Sequence, residues 1–169
     1  ARNLGVSSRI PDVPAIALGT PDLSVYEMVG AYGAFANKGI YVKPIMVTKI
    51  EDKNGTIIFQ SKPETKDVLS EESSYVTLKL LEGVTKSGSG ARLRHDIPED
   101  ERNYVYKNVV TGYPYTFQNA IAGKTGTTQN QSDGWFIGMV PNLVTGVWVG
   151  GEDRSVHFKE IAYGLSLIH

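Results

Sequence analysis

Cysteine is absent from the 169-residue chain, which removes disulfide staples and thiolate metal sites but leaves the redox compartment open. Also missing is any apolar run near the ~18 residues of a membrane span, and no basic start with an apolar middle marks a signal peptide. Neither sign of charge prevails. Lys and Arg number 17 against 18 Asp and Glu, and the formal charge of −1 argues against nucleic acid as a partner. The 3 histidines, His95, His157 and His169, show no ligand spacing with one another, so no metal site and no cofactor are expected. No internal repeat is visible. What is present, 41% hydrophobic residues over this length, suffices for one globular domain. The chain opens on Ala1 and not Met, and the expectation is a piece of a longer reading frame.

Residues 1–12 read as an irregular lead-in with a turn at Pro11 and Asp12. Ser24, with Glu27 three places on, forms a capping box, and Val25, Met28, Val29, Tyr32 and Phe35 fall on one helical face. A helix over residues 24–37 is predicted to bury that stripe and to stop at Gly39. From 41 to 60 the period becomes two, with Ile45, Val47 and Lys49 on one side and Met46, Thr48 and Ile50 on the other. Asp52, Lys53, Asn54 and Gly55 make a turn, so a β-hairpin is predicted. Residues 62–68 read as polar linker. Ser70 then caps a second helix carrying Val76, Leu80 and Val84 at helical spacing, ended by a flexible Ser-Gly-Ser-Gly loop at 87–90. Residues 91–118 read as a long surface excursion, with tyrosines that either pack or line a substrate groove. Short strand-like segments at 134–140 and 143–150 follow, joined by Pro141 and Asn142, and with residues 121–128 they make an antiparallel meander. The class is α+β.

The chemistry centres on Ile121-Ala122-Gly123-Lys124-Thr125-Gly126-Thr127-Thr128. A lysine, flanking threonines and a small residue suit a bound carboxylate. On a strand, alternation sends Lys124 and Gly126 to one face and Thr125 and Thr127 to the other. One ligand can use both sets only by lying along an open strand edge. Gly126, without a side chain, lets a ligand backbone come close enough to pair as an extra strand. The same residues end a phosphate-loop pattern, but that pattern needs glycine where Gln118 stands and a helix after the lysine, which Gly126, Thr127 and Thr128 oppose. A purely structural strand is the plainer alternative.

The neighbours decide otherwise. The runs ALGTPDLSVYEMVGAYGAFANKGIYVKP, KIEDKNG, SGSGARLR and IAGKTGTTQNQSDGWFIGMVPNLVTGVWVGGED, in this order, resemble the second half of the transpeptidase domain of class A, bifunctional penicillin-binding proteins. The resemblance implies a fragment of the penicillin-binding-protein and serine β-lactamase-like fold, an antiparallel sheet with packed helices and a β-hairpin. It implies a serine D,D-transpeptidase that cross-links peptidoglycan stem peptides through an acyl-serine and is acylated by β-lactams. Lys124, Thr125, Gly126 and Thr127 match the motif strand. Its lysine and hydroxyls bind the terminal carboxylate of D-Ala-D-Ala, and the N–H at Thr127 serves as one oxyanion donor, the nucleophile supplying the other. The family's setting is the outer face of the bacterial cytoplasmic membrane, beside a glycosyltransferase domain and behind an N-terminal span.

Two departures shape the expectation. No serine has lysine three places on, since Ser155 is followed by Lys159, one place too far, and S-x-N is absent as well. Residues 1–169 are therefore expected to be a partial transpeptidase domain that lacks its N-terminal half and closing C-terminal helix. No Ser/His/Asp constellation replaces the nucleophile. The alternative is a non-catalytic peptide-binding or interaction module, and an upstream S-x-x-K discriminates the two. In the family the last meander strand, here carrying Val144, Val147, Trp148 and Val149, pairs with the missing half. The isolated chain is expected to self-associate there or to need the complementary half, unless residues 156–169 fold over the edge.

Overall fold

The computed structural model describes residues 1–94 and 117–158, which form two α-helices and small antiparallel sheets, an α+β arrangement as expected. They divide into two compact units, Ala1–Tyr75 and Val76–His169. Among the described residues no helix is long and apolar enough to cross a membrane.

In the first unit, helix α1 (Val25–Ala36) starts at the predicted capping box. The Glu27 N–H donates to Ser24 Oγ at 3.2 Å and the Ser24 N–H returns to Glu27 Oε2 at 3.1 Å. The stripe it buries differs from the predicted one. Glu27, Gly30, Ala31 and Ala34 are buried, whereas Val25, Met28, Val29, Tyr32 and Phe35 are only partly covered. The small residues win because they admit close neighbours: a Cβ on Gly30 would stand 2.9 Å from Pro44 Cγ. The helix ends as expected. Lys38 and Gly39 are left-handed, and the Gly39 N–H donates to Ala34 O at 2.8 Å. Residues 11–13 form no turn, and a short 3₁₀ helix, Pro14–Leu18, follows.

The hairpin is longer and more broken than the period suggested. Strands β2 (Lys49–Glu51) and β3 (Ile57–Gln60) pair around the Asp52 turn, where Asp52 Oδ1 accepts the Asn54 and Thr56 N–H groups at 2.8 and 2.9 Å. Beyond them β1 (Ile40–Val42) pairs with β4 (Thr65–Asp67), so the stretch read as polar linker is a strand. Pro44 and Pro63, which have no N–H to give, stand between the two ladders and account for the interruption.

Helix α2 (Glu71–Lys86) is opened by Ser70, whose Oγ accepts the Ser73 N–H at 3.2 Å. The residues at helical spacing do not make a buried stripe in the second unit, where Val76 and Leu80 are 56% and 73% exposed. Thr85 is fully buried instead, and its hydroxyl donates to the Ile121 carbonyl at 2.7 Å. The loop after the helix is tightly bonded. Ser87 and Gly88 donate to Gly83 O at 3.0 and 3.1 Å, and Gly90 to Val84 O at 2.9 Å. Ala91–Leu93 then makes one 3₁₀ turn that buries Leu93. Residues 95–116 of the predicted excursion, with its tyrosines at 104, 106, 113 and 115, lie outside the described residues. The meander is present as predicted: β5 (Ala122–Thr127), β6 (Asp133–Val140) and β7 (Leu143–Gly150), in the order β5-β6-β7. Ile137 and Met139 of the central strand are 2% and 3% exposed and anchor this unit's core.

Candidate functional site

Strand β5 runs from buried to exposed. Ala122 and Gly123 are buried, Thr125 and Gly126 are half-buried, and Lys124 and Thr127 are exposed. Its start is fixed by the Thr85 hydroxyl on the Ile121 carbonyl, and its course by pairing with β6, Lys124 opposite Ile137, Thr125 opposite Phe136, Gly126 opposite Trp135 and Thr127 opposite Gly134. The phosphate-loop alternative is thereby removed, since the residues after Lys124 continue as a strand.

The direction of each backbone group follows from one bond at the strand's end. The Thr128 N–H donates to the Asp133 carbonyl at 3.3 Å. Within an antiparallel ladder a residue's N–H and C=O point to the same side, and the side alternates along the chain. Gly126 and Lys124 therefore direct their backbone groups at β6, while Thr127 and Thr125 direct theirs at the opposite edge. Among the described residues no strand occupies that edge. Lys124 reaches it too, because its Nζ donates to the Thr125 carbonyl at 2.6 Å. So the Lys124 ammonium comes to the same open edge that the backbone groups of Thr125 and Thr127 face.

Sequence reasoning missed two features. Ser89, in the loop after α2, places its Oγ 2.5 Å from Thr125 Oγ1. The Ser-Gly-Ser-Gly composition marked a loop, but nothing in it signals which strand that loop meets. The second is the closure beyond Thr127, where Thr128 Oγ1 accepts the Asp133 N–H at 3.0 Å and lies 2.9 Å from Ser132 Oγ. Asn130 and Gln131 turn this corner with φ of 58° and 56°. Gly126 also has a packing reason to be glycine: a Cβ there would lie 3.2 Å from the Trp135 Cβ.

Chemically, the edge offers an ammonium, the hydroxyls of Thr125 and Thr127, and two outward N–H groups, a set suited to an extended ligand with a carboxylate. The His157 ring lies 3.3 Å from the Phe158 carbonyl, and the Ser155 N–H donates to Asp153 Oδ1 at 2.8 Å. Among the described residues no group of three or more His, Cys, Asp or Glu is placed to hold a metal ion.

Residues 13–153 match the family model of the penicillin binding protein transpeptidase domain. The chain is 33% identical over 136 residues to penicillin-binding protein 1A of Aquifex aeolicus, covering 80% of this chain and 16% of that protein. It is 32% identical over 159 residues to penicillin-binding protein 2D of Bacillus subtilis, covering 92% of this chain and 20% of that one. It thus spans no more than a fifth of the length of either. In fold it resembles the PonA1 protein of Mycobacterium tuberculosis, solved in complex with penicillin V, with a TM-score of 0.70 at 22% identity, over 97% of this chain and 43% of that one.

Proposed function

The chain belongs to the transpeptidase domain family of class A penicillin-binding proteins, and from that premise we propose that it supplies the carboxylate-binding edge of a peptidoglycan D,D-transpeptidase. In this reading Lys124, Thr125 and Thr127 hold the terminal carboxylate of a D-Ala-D-Ala stem peptide, or that of a β-lactam in its place. Gly126 lets the ligand backbone approach as an added strand. The acyl-serine forms on a nucleophile carried upstream in the full-length protein, and Thr127 donates its N–H to the developing oxyanion. Such a donor is worth about 3–4 kcal/mol of transition-state stabilisation. Residues 1–169 are then the second part of the domain, which works at the outer face of the bacterial cytoplasmic membrane.

One observation carries the reading. The backbone of Thr125 and Thr127 turns away from β6 toward an edge that no described strand occupies, and the Lys124 ammonium is held at the same edge. A strand kept only for packing gives no reason for that convergence. The PonA1 structure with penicillin V adds support from a protein of the same fold. The test is covalent labelling of the full-length protein by a fluorescent penicillin. The proposal expects a labelled band that survives denaturing electrophoresis and is lost when the upstream serine of S-x-x-K is replaced by alanine. Full-length protein that takes no label, or lacks S-x-x-K, would instead favour a non-catalytic peptide-binding module.

A further inference from the structure

We propose that Ser89 is a positioning residue of the carboxylate site, its hydroxyl directing the proton of Thr125 onto the bound carboxylate. The inference rests on the transpeptidase reading and adds to it a residue from outside the motif strand. Ser89 Oγ and Thr125 Oγ1 are 2.5 Å apart, and either atom can be the donor. Each hydroxyl has one proton to give. A carboxylate only accepts, so a bound one requires the Thr125 proton for itself. That leaves Thr125 Oγ1 as the acceptor in the pair and makes Ser89 the donor. The opposite direction would turn the lone pairs of Thr125 toward the ligand and repel it. With the order Ser89 to Thr125 to carboxylate, each bond polarises the next, and the last is charge-assisted.

The loop is built to keep Ser89 there. Its neighbours Gly88 and Gly90 are bonded back onto the last turn of α2 through the Gly83 and Val84 carbonyls. The fit is close on one side, since a Cβ on Gly88 would stand 2.8 Å from Val84 Cα. The same turn holds the start of β5 through Thr85 and Ile121, so loop and strand are registered at two points, Thr85 to Ile121 and Ser89 to Thr125. Ser89 itself is exposed, which leaves its hydroxyl beside the open site and not inside a core.

The test compares acylation of the full-length protein by benzylpenicillin and by its methyl ester, which lacks the charge Thr125 is to recognise. Wild type should prefer the free acid. Ser89→Ala should lower the second-order rate with the acid about 3- to 10-fold, leave the ester rate unchanged, and so shrink the preference by the same factor. Ser89→Thr, which keeps the hydroxyl, should restore it. The preference is a ratio measured on one preparation, so any loss of folded protein cancels. An unchanged preference in Ser89→Ala, or an equal fall with both ligands, overturns the role of Ser89 while leaving the transpeptidase reading intact. Wild type that is not acylated by benzylpenicillin overturns both.

Discussion

Glu27 and Lys124 show two ways of treating a charge. The Glu27 carboxylate is buried in helix α1 and accepts the N–H and hydroxyl groups of Ser7, Ser8 and Ser24 at 2.7–3.1 Å. The Ser8 hydroxyl, then the Ser8 and Ser24 N–H groups and the Ser7 hydroxyl, outweigh burial and hold this carboxyl far below the usual carboxylate range. A carboxyl with a depressed folded pKa adds stability that is fully present above its unfolded value, about 4.3. That stability is lost as pH falls toward the folded value. Glu27→Gln turns an amide N–H against this ring of donors, and its melting temperature should lie several degrees below wild type at pH 7. The gap should narrow below pH ~4, where the unfolded acid is protonated and wild type loses its advantage. Thermal melts from pH 7 to pH 3 check this, and a gap that stays constant would contradict it. Lys124, in contrast, is exposed, and among the described residues it makes no ion pair. It is free to meet an anion from solution.

At the scale of elements, the turn at Gly39 makes the sharpest demand on its residue. Its φ is +89°, and a Cβ there would fall 2.1 Å from the Leu69 carbonyl oxygen. Gly39→Ala should destabilise by at least about 1 kcal/mol from backbone strain alone, with the clash added. Urea denaturation reads this, and an unchanged midpoint would reject it. The capping box, the Asp52 turn and the three-strand meander were legible in the sequence because each is written in local residue types. The buried stripe of α1 was not. Its members are a charged residue and small ones, and their burial depends on how closely Pro44 approaches. Strand β4 was hidden as well, since Thr65, Lys66 and Asp67 carry no alternating apolar pattern and pair only because β1 lies beside them. At the site, the motif and its alternation were readable from sequence. The outward direction of Thr125 and Thr127 needed the Thr128 bond, and the partnership with Ser89 needed the loop's path.

For the molecule as a whole, the decisive fact is the short span against its relatives, together with an exposed outer strand. In β7, Leu143, Val147, Trp148 and Val149 are 57%, 47%, 41% and 42% exposed, and no described strand covers its far edge. The alternation that starts at Thr128 carries through β6, so Gly146 and Trp148 turn their backbone groups to that edge. An apolar edge without charge or proline is a template for pairing. The 169-residue chain alone should therefore self-associate, or fold well only with its complementary half, as sedimentation across concentrations would show. A stable monomer with slow amide exchange through residues 144–149 would contradict this. The Phe158 N–H meets the Gln131 carbonyl at 3.2 Å, which sets residue 158 beside the β5–β6 loop, and residues 159–169, the candidate cover for the edge, lie outside the described residues. The isolated chain should also take no covalent label from a fluorescent penicillin, because S-x-x-K is not in it. A labelled band from the isolated chain would locate a nucleophile within these residues.

The most direct measurement of the central claim, that the edge of β5 binds the acyl donor's carboxylate through Lys124, is the acylation rate of full-length Lys124→Ala by a fluorescent penicillin. A hydrogen bond to a charged group contributes about 1.5–3 kcal/mol, so the variant should be acylated about 10- to 150-fold more slowly. Its melting temperature should match wild type, since the ammonium is exposed and bonds only to the Thr125 carbonyl among the described residues. Unchanged acylation kinetics in a variant that is folded would contradict the account.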